Sequence, residues 1–211
     1  MTIIHKSFPV GPLQCNCTIL SNTETGKGYL IDPGGDPELI MQTLKEMKIE
    51  LEGIYHTHAH FDHFLASAEI KEKTGAPIYL HDDDRFLWDS LEMQCSYFNI
   101  EFKTTPPPDF KIEDEQELVH CDGVCLHTPG HTPGSVSFHF DSADLLVAGD
   151  TLFNGSVGRT DLPGGDFKKL KSSIQNKIYT LDESTTVITG HGPETSIKKE
   201  MTNNMVIRYN S

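Results

Sequence analysis

The chain has 211 residues, a length that fits one folded domain spanning 1–211 with room for one insertion. Its 31 acidic and 17 basic side chains give a formal charge of −14, which repels phosphate backbones and disfavours nucleic acid as a partner. Hydrophobic residues at 36% and charged residues at 23% fit a globular protein, not a disordered or fibrous one. No apolar run nears the ~20 residues of a membrane span, and the first residues lack the pattern of a secretion signal. The expectation is a soluble cytoplasmic protein with no membrane partner.

Alternating apolar residues predict strands over residues 3–8, 15–20 and 28–31, followed by a turn at Asp32-Pro33-Gly34-Gly35. Asp36 has the chemistry of a helix N-cap and Pro37 suits the first helical position, with Leu39, Ile40, Leu44 and Met47 at helical spacing. A strand is expected over 51–55, a helix over 64–73 ended by Gly75-Ala76-Pro77, and a strand over 78–80. Residues 82–118 are less regular. They carry Phe86, Trp88, Tyr97, Phe98 and Phe102 and a Pro106-Pro107-Pro108 loop, and they read as a helical excursion packing its own aromatics, with an aromatic substrate wall as the alternative. Strands are expected near 119 and over 124–127, 135–140 and 145–148. A helix over 167–179, a strand over 185–188 and a short helix near 194–201 follow. The alternation of strand and helix predicts an α/β layer architecture without repeats or linkers.

Five cysteines, an odd number with no matched pairs at zinc-ribbon spacing, predict buried reduced thiols rather than disulfides. Histidine is more informative. Four of the 11 fall within residues 56–63, in Thr57-His58-Ala59-His60-Phe61-Asp62-His63 and the residue before it. On a strand, residues two apart share a face, so His58 and His60 are able to present imidazoles together. Asp62 and His63 then fall on the turn into the next helix, and four donors in six residues suit two adjacent cations better than one. Three further donors lie just past predicted strand ends, where α/β sheets place their sites: His131 in Thr128-Pro129-Gly130-His131, Asp150 in Ala148-Gly149-Asp150-Thr151 and His191 in Gly190-His191-Gly192.

These motifs, in this order from Ile31-Asp32-Pro33-Gly34-Gly35 to Gly190-His191-Gly192, resemble the metallo-β-lactamase superfamily. The resemblance implies an αβ/βα four-layer sandwich with a metal site at one edge. It implies that His58, His60 and His131 bind one cation, that Asp62, His63 and His191 bind a second, and that Asp150 bridges both. Asp32 resembles the aspartate that orients a ligand histidine. His56 lies outside the pattern and is expected to be a packed residue or one that supports a ligand, not a ligand itself. His5, His81, His120, His127 and His139 are expected to be structural or surface residues.

Within the superfamily, Gly149-Asp150-Thr151-Leu152-Phe153, Gly158-Arg159-Thr160-Asp161 and Gly190-His191-Gly192-Pro193-Glu194-Thr195 resemble the short bacterial glyoxalase II-like group. That resemblance implies a thioester hydrolase with two divalent cations, zinc first and iron or manganese as alternatives, acting on an anionic acyl thioester. Asp62 is the expected proton acceptor. Arg159 is expected either to bind a substrate carboxylate or to pair with Asp161. The helical domain that holds glutathione in the long enzymes is expected to be absent, since few residues follow His191. The competing expectation is a persulfide dioxygenase with one iron on His58, His131 and Asp150. A lactonase carries less weight, and a secreted β-lactamase less again.

Overall fold

The computed structural model describes residues 2–209. Two six-stranded sheets stack face to face, with helices on both outer faces. In the first half run β1 (Ile3–Val10), β2 (Cys15–Asn22), β3 (Lys27–Ile31), α1 (Pro37–Met47), β4 (Glu50–Tyr55), α2 (Ser67–Thr74) and β5 (Ile78–His81). Two short helices follow, α3 (Arg85–Trp88) and α4 (Leu91–Phe98), then β6 (Phe110–Ile112) and β7 (Glu117–Leu118). The second half runs β8 (Gly123–His127), β9 (Val136–Phe140), β10 (Leu145–Gly149), the hairpin β11 (Leu152–Phe153) and β12 (Ser156–Val157), then α5 (Phe167–Asn176). β13 (Thr186–Thr189), β14 (Thr195–Ser196) and α6 (Ile197–Asn203) complete it.

The first sheet has strand order β1-β2-β3-β4-β5-β6, antiparallel through β3 and parallel from β3 to β6. The second has order β14-β13-β10-β9-β8-β7, with β10 and β13 its parallel pair. Successive strand side chains point to opposite faces, and that alternation fills three apolar layers. Leu30 packs under the first helical layer with Ile40, Leu44, Ile54, Ile70 and Ile78. Its neighbours Tyr29 and Ile31 face the other sheet and meet Tyr55, Val136, Phe138, Phe140, Leu145 and Val147. Leu146 and Ala148 turn outward against Leu170, Ile174 and Ile197 of α5 and α6. Each of these strands is buried on both faces, which is why they read as near-continuous apolar runs.

Several elements depart from the sequence expectation. α2 begins at Ser67, because Phe61–His63 form a 3-10 turn that keeps Asp62 and His63 out of the helix. Asp36 occupies the cap position in a left-handed conformation, yet its carboxylate accepts from Gly11 N at 2.8 Å instead of capping α1. β6 and the β11–β12 hairpin were not foreseen, and Val119 lies outside the strand expected near it. Within the aromatic segment Tyr97 meets its neighbour Phe98 at 5.1 Å between ring centroids, but the five aromatics form no shared buried cluster. Trp88 is buried against Phe64 at 4.2 Å between ring centroids, but Phe86, Tyr97, Phe98 and Phe102 are exposed. All five cysteines are free and buried, as expected. No helix among the described residues is long and apolar enough to cross a membrane.

Candidate metal centre

The seven donors foreseen from sequence converge at one edge of the sandwich. His58 and His60 follow β4, Asp62 and His63 lie on the 3-10 turn, and His131 follows β8. Asp150 follows β10 and His191 follows β13. His60 Nδ1 stands 3.1 Å from His58 Nε2 and 2.9 Å from His131 Nε2, which makes one tight group. His191 Nε2 stands 3.3 Å from His63 Nε2 and 3.1 Å from Asp62 Oδ2, which makes a second. Asp150 lies between them, with Oδ2 at 3.5 Å from His131 Nε2 and Oδ1 at 3.4 Å from His63 Nε2.

The outer ring nitrogens fix which lone pairs face inward. His131 Nδ1 donates to Arg159 O at 2.8 Å, His191 Nδ1 to Leu13 O at 3.0 Å, and His63 Nδ1 to Asp32 Oδ2 at 3.0 Å. His58 Nδ1 donates to the Thr57 hydroxyl at 3.1 Å, which itself donates to Asp32 Oδ2 at 2.6 Å. Each of these four histidines therefore keeps Nε2 unprotonated toward the centre in its neutral form. Asp32 sits in the left-handed region at φ 52° and also accepts from Thr57 N at 2.7 Å, the orienting role its sequence position suggested.

Electrostatics divides the two groups. Burial, aided by the other histidines, pushes His58 well below its ordinary value and carries His60 down to about 3. Burial also opposes charge on His63, but Cys15, Asp62, Asp32 and Asp150 outweigh it and hold that imidazole above its ordinary value. Burial works against ionising Asp62 and Asp150 too, yet His63 and its neighbours hold both carboxyls below the usual carboxylate range.

The donor set fits divalent cations. Asp150 Oδ1 is buried and, despite His63 nearby, has no hydrogen-bond partner. A buried carboxylate oxygen left in that state costs of order 1–3 kcal/mol unless a cation or water meets it. Gly190 keeps the space beside it clear, since a Cβ there would overlap Asp150 Oδ1. Imidazole and carboxylate donors suit zinc, iron and manganese alike.

Three residues that the sequence did not single out hold the donors in place. Asp84, fully buried, accepts from Ala59 N at 3.0 Å, Thr132 Oγ1 at 2.7 Å and Gly134 N at 2.6 Å, so it ties the His58–His60 segment to the His131 loop. Burial pushes its carboxyl up against those three donors. Gln94 on α4 accepts from Phe61 N at 3.0 Å and donates to Ala59 O at 3.2 Å. Thr57 relays His58 to Asp32. Asp84 sits in the run Asp82-Asp83-Asp84, which in sequence looks like a solvated turn, and Gln94 has no partner legible from spacing.

His56 is buried outside the cluster, with Nδ1 donating to Tyr79 O at 3.0 Å and Nε2 accepting from Ser67 Oγ at 2.8 Å. Arg159 forms a bidentate pair with Asp161 at 2.8 and 2.7 Å, both side chains exposed.

The sequence profile of the metallo-beta-lactamase superfamily matches residues 10–191. The chain belongs to that superfamily. The "Probable metallo-hydrolase YqgX" of Bacillus subtilis is 42% identical over 205 residues, 94% of this chain and 95% of the relative. The "Hydroxyacylglutathione hydrolase GloC" of Haemophilus influenzae is 35% identical over 208 residues, 97% of this chain and 98% of the relative. Among solved structures, TTHA1623 in a di-iron-bound form superposes with a TM-score of 0.89 at 35% identity, covering 96% of this chain and all of the other. The BLEG-1 B3 metallo-beta-lactamase does so with 0.88 at 38% identity, covering 96% and 98%. At the level these relatives share, this superfamily member is a metallo-hydrolase, an enzyme that acts on small molecules.

Proposed function

We propose that this superfamily member is a dinuclear thioester hydrolase of the glyoxalase II type. The carrying observation is Asp150, whose two oxygens face two separate histidine groups while one of them lacks any hydrogen-bond partner. His58, His60 and His131 would hold one cation, Asp62, His63 and His191 the other, and Asp150 both. Paired divalent cations lower the pKa of a shared water toward roughly 7 and polarise a carbonyl oxygen. The protons that the acidic neighbours retain on His63 and His191 are the ones that cation binding displaces. The name of the Haemophilus relative supports an acyl-glutathione substrate.

The chain's own residues supply the rest of the chemistry. Asp62 is ionised at neutral pH, and its carboxylate is the group that takes the proton of the attacking water as the carbonyl becomes tetrahedral. The leaving group is a thiolate, which needs no strong general acid. Arg159 is the candidate for a substrate carboxylate, because its guanidinium fork already holds a carboxylate bidentately. Exchanging exposed Asp161 for substrate costs little, since solvent screens an exposed pair. Tyr97, Phe98 and Phe61 form a run of rings with centroids 5.1 Å apart, Tyr97 and Phe98 exposed and Phe61 buried in the turn that carries Asp62. That exposed shelf suits the carrier portion of a thioester.

Elemental analysis of protein purified without added metal and without oxygen tests the reading. Close to two divalent cations per chain, with thiol released from a panel of acyl thioesters, is the expected result. One iron per chain, with oxygen uptake on adding glutathione persulfide, would overturn it.

A further inference from the structure

A second cluster of donors lies apart from the seven. His81 ends β5 of the first sheet and His127 ends β8 of the second, and their rings stack at 4.2 Å between centroids with 11° between planes. Asp83 follows on the turn after β5, its Oδ2 4.0 Å from His81 Nδ1. One donor atom from each of the three lies within 4.8 Å of the others.

The hydrogen bonds determine which lone pairs are present. His127 Nε2 donates to Pro133 O at 2.9 Å, so its Nδ1 carries a lone pair. His81 Nδ1 accepts from Asp83 N at a long 3.3 Å, so the same atom carries one there. The field around them favours a cation. Asp82, Asp83 and Asp114 all act on His81, and Lys177 is already paired with Asp114 at 2.6 Å. Burial and the facing His127 push His81 below its ordinary value, so that imidazole stands neutral at neutral pH.

We propose that His81, Asp83 and His127 form a third cation site, for a single transition-metal dication of the zinc class, that staples the two sheets together. Two imidazoles and one carboxylate, with water completing the shell, is an established donor set for zinc. Donors around tetrahedral zinc lie about 3.4 Å apart and the ion lies in the plane of each imidazole, so binding requires one ring to turn out of the stack as the cluster closes by an ångström or so. His81, whose Nδ1 is held only by the long 3.3 Å bond from Asp83 N, supplies that turn, and Asp83, with 60% of its side chain exposed, follows it.

The placement gives the staple a consequence. Asp83 precedes Asp84, whose carboxylate ties Ala59 to Thr132 and Gly134. His127 precedes the loop that carries His131. A cation here clamps from outside the same two segments that Asp84 joins from inside.

The experiment is equilibrium dialysis of the cation-loaded protein against micromolar free zinc, with elemental counting and thermal melts. The parent is compared with His127→Gln, which keeps a side-chain donor for Pro133 O, and with Asp83→Asn, an exposed change that leaves the fold intact. The parent should retain about one zinc equivalent more than either variant, and added zinc should raise its Tm by several degrees more. The same one-equivalent difference should persist in a His58→Ala background, which separates this site from the seven-donor centre. Equal stoichiometry in parent and Asp83→Asn, or equal Tm increments, would overturn the proposal. If His127→Gln does not fold, Asp83→Asn alone decides.

Discussion

Replacing Asp84 by Asn keeps the side-chain shape and removes one acceptor and the charge. The Asn carbonyl oxygen retains Gly134 N, but its amide then meets two donors, Ala59 N and Thr132 Oγ1. Thr132 has a second partner in Ser135 Oγ at 2.7 Å and rotates toward it, whereas Ala59 N is left buried without an acceptor. The orphaned N–H costs about 2 kcal/mol, and loss of charge at the other two bonds about 1 kcal/mol each. Relief of the buried charge returns about 1–2 kcal/mol, leaving a net destabilisation of about 2–3 kcal/mol. In urea this is a midpoint shift of about 1 M. Because Ala59 lies between His58 and His60, affinity for divalent cations should also fall, by about 10–100-fold. Urea melts of the metal-free protein and competition with a chromophoric chelator measure the two quantities. An Asn variant within about 0.5 kcal/mol of the parent, with unchanged cation affinity, would refute the view of Asp84 as the tie between the two segments.

Three other outcomes are expected. His63→Ala should lower bound metal by about one equivalent and remove most hydrolytic activity, while His58, His60 and His131 retain the other cation; elemental analysis reads this directly. Tyr97→Ala, at a side chain 85% exposed, should leave Tm unchanged and raise KM for an acyl thioester several-fold with little change in kcat, since the shelf binds substrate and transition state alike. His56 is carried down to about 4 by burial, so the unfolded chain binds its proton near 6.5 and the folded chain only near 4. Stability is therefore present above about pH 6.5 and lost as pH falls toward 4, by about 3 kcal/mol in total. In paired urea melts the advantage of the parent over His56→Gln should shrink over that window; a difference independent of pH would contradict the assignment.

The seven donors were legible because ligand chemistry leaves a compositional trace. Histidine and aspartate at strand ends have no packing reason to alternate with glycine, and the spacing in Thr57-His58-Ala59-His60-Phe61-Asp62-His63 follows from a strand running into a turn. The β-strands were legible for a related reason: Leu145-Leu146-Val147-Ala148 is buried on both faces and leaves no polar alternation to misread. What escaped was set by contacts distant in sequence. β6 is three residues long and exists because Tyr79, Leu80 and His81 offer it an edge. Asp84 resembles any surface acid until Ala59 and Thr132 are brought to it. The aromatics of α4 read as packing on one another within their own excursion, with a substrate wall as the alternative; Tyr97 and Phe98 lie on the surface, where apolar area remains available for a ligand.

His191 is held by the opposite end of the chain. Cys15 forms a β-bridge with it, Asn16 N donates to Gly190 O at 2.8 Å, and the Asn16 amide donates to Thr189 O and Gly192 O at 2.8 and 2.9 Å. Leu13 O and His191 are separated by 178 residues, whereas His60 and His131 are separated by 71. The group around His60 draws on residues up to Asp150, whereas the group around His191 also needs the segment after β13 to meet the turn between β1 and β2, a longer loop closure. The shorter closure is expected to form first. Pulsed hydrogen exchange should protect Val136 N, bonded to Thr57 O, before Asn16 N.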